Sequence, residues 1–207
     1  LVDRLSVFML LVVTGVGSGV FYYSLEYMNH DEGFKRYFVG LSLFAFSMIG
    51  IVVSNNLLQL FIFWELVGFS SYLLIGHWYQ KPEAADAGKK AFLTNRVGDF
   101  GFLLGILLLW TFSGPLNART LNILSLNNLL PAFVQTSQAH QFAITVALLL
   151  IFTGVMGKSA QFPFHVWLPD AMEGPAPVSA LIHAATMVAA GVYLLARLFS
   201  LFVLSPN

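Results

Sequence analysis

The sequence predicts an all-α fold: a polytopic bundle of about six transmembrane helices, with one discontinuous helix near Lys158–Pro163. Three observations predict it. First, 57% of the 207 residues are hydrophobic and only 10% are charged, where a soluble domain carries roughly 25% charged residues. A water-soluble fold of this size cannot hide so much apolar surface. Second, the apolar residues fall into six runs, each near the length of about 20 residues that a helix needs to cross a bilayer core. Spanning strands would be about half as long and would alternate in polarity. Third, one apolar run ends in a lysine, Lys158, and the prolines Pro163, Pro169, Pro175 and Pro177 follow it closely.

The runs are read in order. The first covers about 5–23 and reaches 28 with its aromatic end; the second covers 37–53. The third, 57–76, follows the polar break Ser54-Asn55-Asn56. The fourth covers 92–112, the fifth covers about 142–160 with its end left open, and the sixth covers 178–203. Tyr22, Tyr23 and Tyr27, then Trp78 and Tyr79, mark interfacial ends. Gly15-x-x-x-Gly19 and Gly101-x-x-x-Gly105 offer close helix contacts. In the longest connection, 117–140, Leu121, Leu124, Leu129 and Leu130 predict a short interfacial helix that Pro131 stops.

Successive connections alternate between two sides. One receives Lys35, Arg36, Lys81, Lys89, Lys90 and, at its edge, Arg96; the other receives Arg4 and Arg119, with Arg197 near it. The positive-inside rule places the first side in the cytoplasm, matrix or stroma. Net charge is zero, so nothing points to nucleic acid as a partner. The partner composition does imply is the lipid bilayer. With no cysteine, disulfides and thiolate metal sites are excluded. The five histidines show no metal-ligand spacing, and no serine–aspartate arrangement points to hydrolysis. The chain begins at Leu1 without the layout of a signal peptide and is expected to be a piece of a longer polypeptide.

Three ionisable residues stand in or beside the apolar runs. For Glu65 no sliding of the span boundaries reaches water, whereas Lys158, if the fifth run stops at 160, is near a helix end and can snorkel to the headgroups. Glu65 sits mid-span in FIFWELVGFSSYLLIG, where a carboxylate costs a few kcal/mol unless paired or wetted. Lys158 lies in GxxGKS, but a phosphate loop needs a glycine where Phe152 stands, and a membrane span precedes it. As one helix, 142–172 would be about 46 Å long, against a core of about 30 Å. A break resolves this: a first half ending near Gly157 and Lys158, then a second half restarting at Pro163, a favoured first helical residue. Lys158 would then lie at membrane depth beside loosened backbone, an arrangement tolerated where it lines a polar cavity. His183, with Ser179 and Thr186, forms a polar stripe on one helical face. Arg96 and Asp99 are three apart on the fourth span and predict a supporting charge pair. Acid, base and imidazole in separate spans are what a proton relay needs.

With these residues in view, FWELVGFSSYLLIG, KAFLTNRVGDFG and GKSAQFPFHVWLPDAMEGPAPVSALIHAATMVAAGVYLLAR resemble one family. It is the antiporter-like membrane subunit (chain 5) of NADH:quinone oxidoreductase, respiratory complex I, with its plastid and cyanobacterial equivalents. The resemblance implies an inverted-repeat fold, of which 37–203 would be the first five-helix repeat. It implies that Glu65 pairs with Lys158, that Asp99 and Arg96 lie near that glutamate, and that His183 passes protons onward. It also implies neighbouring membrane subunits of complex I as partners. NAD, flavin, iron–sulfur clusters and quinone would sit in those partners, with no cofactor or metal on this chain. The membrane would be a bacterial inner, mitochondrial inner or thylakoid membrane. Large subunits of multisubunit sodium/proton antiporters, and a relative serving inorganic-carbon uptake, are similar. Ala189 and Gly174-Pro175 stand closer to the complex I form.

Overall fold

A computed structural model describes residues 2–113, 119–134 and 137–203. Its regular elements are helical: α1 (Arg4–Tyr27), α2 (Phe34–Val53), α3 (Leu57–Ile75), α4 (Pro82–Phe112), α5 (Ile123–Val134), α6 (Gln138–Lys158), α7 (Ala176–Ala180), α8 (Met187–Arg197) and α9 (Phe199–Val203). Two 3₁₀ turns, Phe164–Trp167 and Asp170–Glu173, lie between α6 and α7, and a π turn, Leu181–Ala185, lies between α7 and α8. Six helical stretches are long and apolar enough to cross a membrane: α1, α2, α3, α4, α6 and the stretch Ala176–Arg197.

The helix starts follow from local chemistry. Asp3 caps α1, accepting from the Ser6 N–H at 2.9 Å while the Ser6 hydroxyl accepts from the Asp3 N–H at 2.7 Å. The Asn56 side chain accepts from the Leu58 N–H at 2.8 Å at the head of α3, and Ser137 does the same for α6. α4 starts at Pro82, ten residues before the expected 92. Proline at the first helical position carries the helix out past the apolar run, so Lys89 and Lys90 stand on helix rather than in a loop.

The connections do gather on two faces. On one, the α1–α2 turn meets the α3–α4 turn: Asp31 accepts from the Trp78 indole at 2.7 Å and lies 3.1 Å from His77 Nε2. Burial pushes the Asp31 carboxyl up, but the bonds from Trp78 and His77 outweigh it and hold it below its ordinary value. On the opposite face, the Leu57 N–H donates to the Leu121 carbonyl and the Ile123 N–H to the Asn55 carbonyl, both at 2.9 Å. There the two ends of the bundle are also tied, since Arg197 donates to both Asp3 oxygens, at 2.5 and 3.2 Å. Arg197 holds the Asp3 carboxyl well below the usual carboxylate range, against the opposing effect of burial.

The core lies between α2, α3, α4, α6 and α8, where Phe44, Trp64, Phe102, Ile151 and Leu194 are fully buried. α4 and α6 approach most closely through glycine. A Cβ on Gly101 would stand 2.0 Å from Thr153 Oγ1, and one on Gly105 would stand 2.5 Å from the Ala147 carbonyl. Gly15 and Gly19 behave otherwise: a Cβ on either meets nothing within 4 Å, so that pair makes no close contact among the described residues. Pro131 does not stop the interfacial helix, because α5 runs through it to Val134. Only three residues follow it there, so the lost backbone bond disturbs little helix. α5 buries Ile123, Leu126 and Leu130 and exposes Leu124 and Leu129. The ends of that connection, 114–118 and 135–136, lie outside the described residues.

Candidate functional site: a buried lysine at a broken helix

α6 ends on Lys158, and the end is a complete Schellman turn. The Gln161 N–H donates to the Met156 carbonyl at 2.9 Å, and the Ala160 N–H to the Gly157 carbonyl at 3.2 Å. The residue in the left-handed conformation that this turn requires is Ala160, with φ 49°, where glycine is the usual choice. The Gly157 carbonyl also accepts from the buried Trp167 indole at 3.0 Å, which ties the broken segment back onto α6. The Ser159 hydroxyl donates to the Val188 carbonyl of α8 at 2.9 Å, and Gly191 leaves room for it.

The helix therefore breaks where the sequence predicts, but it does not restart as an α-helix at Pro163. Pro163, Pro169, Pro175 and Pro177 recur too often for an i to i−4 ladder to establish itself, since each lacks an N–H. The chain instead descends in 3₁₀ turns toward the start of α4, where Lys90 meets Asp170 at 2.6 Å.

Lys158 is 1% exposed, and its ammonium stands 3.4 Å from Asp99 Oδ2. The contact is ionic and carries no aligned hydrogen bond. The other Asp99 oxygen accepts from the Trp64 indole N–H at 2.7 Å. The Trp64 ring centroid lies 6.0 Å from the ammonium. Gly68, one turn along α3, leaves the space that Nζ fills: a Cβ there would stand 2.6 Å from it.

This corrects two expected pairings. Arg96 pairs with Glu65 rather than with Asp99, and Lys158 pairs with Asp99 rather than with Glu65. The cause is helix phase. Trp64 and Glu65 are consecutive on α3 and point about 100° apart, so one faces the interior and the other the rim. Arg96 belongs to that rim inside the span, not to a connection, and 45% of its side chain is exposed. Its guanidinium also lies 4.7 Å from the Phe92 ring centroid.

The polar stripe is rearranged as well. The π turn changes the helical phase between Ser179 and Thr186, and Thr186 adopts φ −132° and ψ −80°. The Thr186 hydroxyl donates to the Leu181 carbonyl at 2.6 Å. His183 Nε2 and the Ser179 hydroxyl are both buried without a hydrogen-bond partner among the described residues. No direct bond joins His183 to Lys158 among the described residues. A cleft of about 410 Å³ opens beside Ser179, lined by Tyr27, Trp78, Lys81, Glu173 and Ala176 among others. The sequence reading missed Trp64, Gly68, Ser159 and Trp167. Trp64 and Ser159 carried a signal, through their adjacency to Glu65 and Lys158.

Residues 54–207 match the family described as NADH:quinone oxidoreductase/Mrp antiporter, TM. Residues 1–38 match the N-terminus of chain 5 of NADH-ubiquinone oxidoreductase, complex I. Among curated relatives, the chain is 55% identical over 206 residues to the chloroplastic NAD(P)H-quinone oxidoreductase subunit 5 of Glycine max. It is 54% identical over 207 residues to that of Phaseolus vulgaris. All of this chain is matched, but it spans only 27% of the length of each relative. Among solved structures, a chain of the Mrp complex from Dietzia sp. DQ12-45-1b superimposes with a TM-score of 0.81 at 33% identity, covering 93% of this chain and 20% of that one.

Proposed function

Because the chain belongs to the NADH:quinone oxidoreductase/Mrp antiporter transmembrane family, we propose that it is the proton-exchanging part of an NAD(P)H-quinone oxidoreductase membrane subunit, as in the chloroplastic relatives. The observation that carries this reading is Lys158: an ammonium fully buried at a broken helix, with one carboxylate beside it. A buried ion pair is often no more stabilising than apolar residues of the same volume, so packing alone does not account for this one. Non-helical backbone at membrane depth is tolerated where it is buried in protein or lines a polar cavity, and Lys158 stands beside such a break.

The chain's own residues divide the work. Asp99 stabilises the charged lysine, and withdrawal of that carboxylate favours release of the proton. A water entering from the cleft beside Ser179 would find two unpartnered polar atoms, the Ser179 hydroxyl and His183 Nε2, and could bridge them. His183 exchanges protons between that water and Lys158. Glu65 and Arg96, on the rim, form a second pair that a neighbouring membrane subunit covers and can pull apart. Electron transfer through NAD(P)H, flavin, iron–sulfur clusters and quinone belongs to the partner subunits, and this chain moves protons in response. The membrane is the thylakoid, with the Lys35, Arg36, Lys81, Lys89 and Lys90 face toward the stroma. Residues 37–203 act as one repeat of an inverted pair.

The test is the complete complex carrying Lys158→Ala, reconstituted into vesicles, with proton uptake measured beside NAD(P)H oxidation. A fall in protons moved per electron is expected, and an unchanged ratio overturns the role. The likeness to the Mrp complex supports a second reading, an ion-exchange assembly without redox partners. Copurification separates the two: flavin and iron–sulfur proteins accompany the chain under the first and not under the second.

A further inference from the structure

Four charges meet on α3, α4 and α6, and their pairing needs an explanation. Asp99 is three residues after Arg96 on the same helix, a spacing at which side chains are neighbours. An exposed guanidinium on its own helix is therefore within its reach, yet Asp99 turns to Lys158 on another helix. The feature that distinguishes the two directions is the Trp64 indole. Its N–H donates to Asp99 Oδ1 at 2.7 Å from the interior side. An indole nitrogen can donate and cannot accept, so it engages a carboxylate oxygen in one sense only.

The donor is also rigidly held. Trp64 is fully buried, and Phe102 stands edge-on to it, with centroids 5.3 Å apart and planes at 81°. Phe61 braces Phe102 in turn, at 5.5 Å and 85°. A ring packed in this way cannot follow the carboxylate, so the carboxylate must stay with the ring. With Oδ1 fixed, Oδ2 faces the ammonium at 3.4 Å.

We propose that Trp64 is a positioning residue: its indole N–H turns the Asp99 carboxylate toward Lys158 and keeps it from pairing with Arg96. The consequence is a division of four charges into two pairs, Asp99 with Lys158 inside and Glu65 with Arg96 at the rim. Trp64 and Glu65 are consecutive, so the rotation of α3 sets both pairs together. A movement that draws Glu65 off Arg96 also disturbs the hold on Asp99. This rests on the proton-exchanging role of Lys158 proposed above, and the experiment separates the two.

The complete complex would carry β-(3-benzothienyl)alanine at position 64, which keeps the shape of the ring and replaces the N–H by sulfur. Trp64→Phe is the second variant, and Phe102→Leu is the packing control. The expected result is normal electron transfer with fewer protons moved per electron, and partial recovery when Arg96→Gln removes the competing cation. Recovery through Arg96 is something that a role in packing alone does not produce. A wild-type ratio with the sulfur analogue overturns the proposal. So does a loss that matches Phe102→Leu and is not relieved by Arg96→Gln. Wild-type pumping by Lys158→Ala, by contrast, overturns the role of the lysine itself.

Discussion

The Lys158 ammonium lies 3.4 Å from Asp99 Oδ2, while Glu65, one residue from the tryptophan that holds Asp99, is engaged by Arg96. The buried site thus has a counterion from α4, and the glutamate of α3 serves a second pair.

The two carboxylates differ in what their removal costs. Asp99→Asn takes the counterion from Lys158 in the interior, and loss of one partner from a buried pair costs about 3–5 kcal/mol. Glu65→Gln leaves Arg96 with the Phe92 ring still 4.7 Å from its guanidinium, and costs the bundle less. Thermal unfolding of the solubilised complex checks the order: Asp99→Asn melts at a clearly lower temperature than Glu65→Gln.

Gly68→Ala would place a methyl group 2.6 Å from Nζ, so the ammonium must leave its place against Asp99. Inserting a methyl into packed interior costs about 1–3 kcal/mol. The expected outcome is an assembled complex with reduced proton uptake per electron. Gly17→Ala is the control, since a Cβ there meets nothing within 4 Å, and it leaves uptake unchanged.

The span count, the break after Lys158 and the buried ionisable residues were legible because each follows from polarity against helix length. Partner choice was not. Which carboxylate reaches Lys158 depends on the rotation of α3 and α4 about their axes, and Glu65 and Asp99 are equally acidic in one dimension. Pro163 reads as a helix start by itself; the recurrence of proline through Pro177 is what turns the segment into 3₁₀ turns. The stripe Ser179, His183, Thr186 assumed an unbroken period of 3.6, and the π turn at Leu181–Ala185 shifts that period.

The clasp between Asp3 and Arg197 has a defined pH dependence. Its carboxyl is held below the unfolded value of about 3.9. Its contribution is therefore complete above that value and is lost only as pH falls toward the depressed one. Between pH 8 and pH 5 the clasp stays closed. Melting curves across that window show no pH dependence from this pair, and Asp3→Asn lowers the melting temperature equally throughout.

His183→Phe removes the buried imidazole while leaving the Asp99–Lys158 pair in place. Stability changes little, because no protein group among the described residues bonds Nε2. Proton uptake per electron falls, and the comparison of melting temperature with uptake in one preparation checks both.

The account is tested most directly by a double-mutant cycle on Asp99 and Lys158, read as protons moved per electron in vesicles holding the complete complex. Asp99→Asn and Lys158→Met are each expected to lower the ratio, and the double variant to be no worse than Lys158→Met alone. A wild-type ratio in either single variant, or losses that add in full, would contradict a proton site formed by the two together.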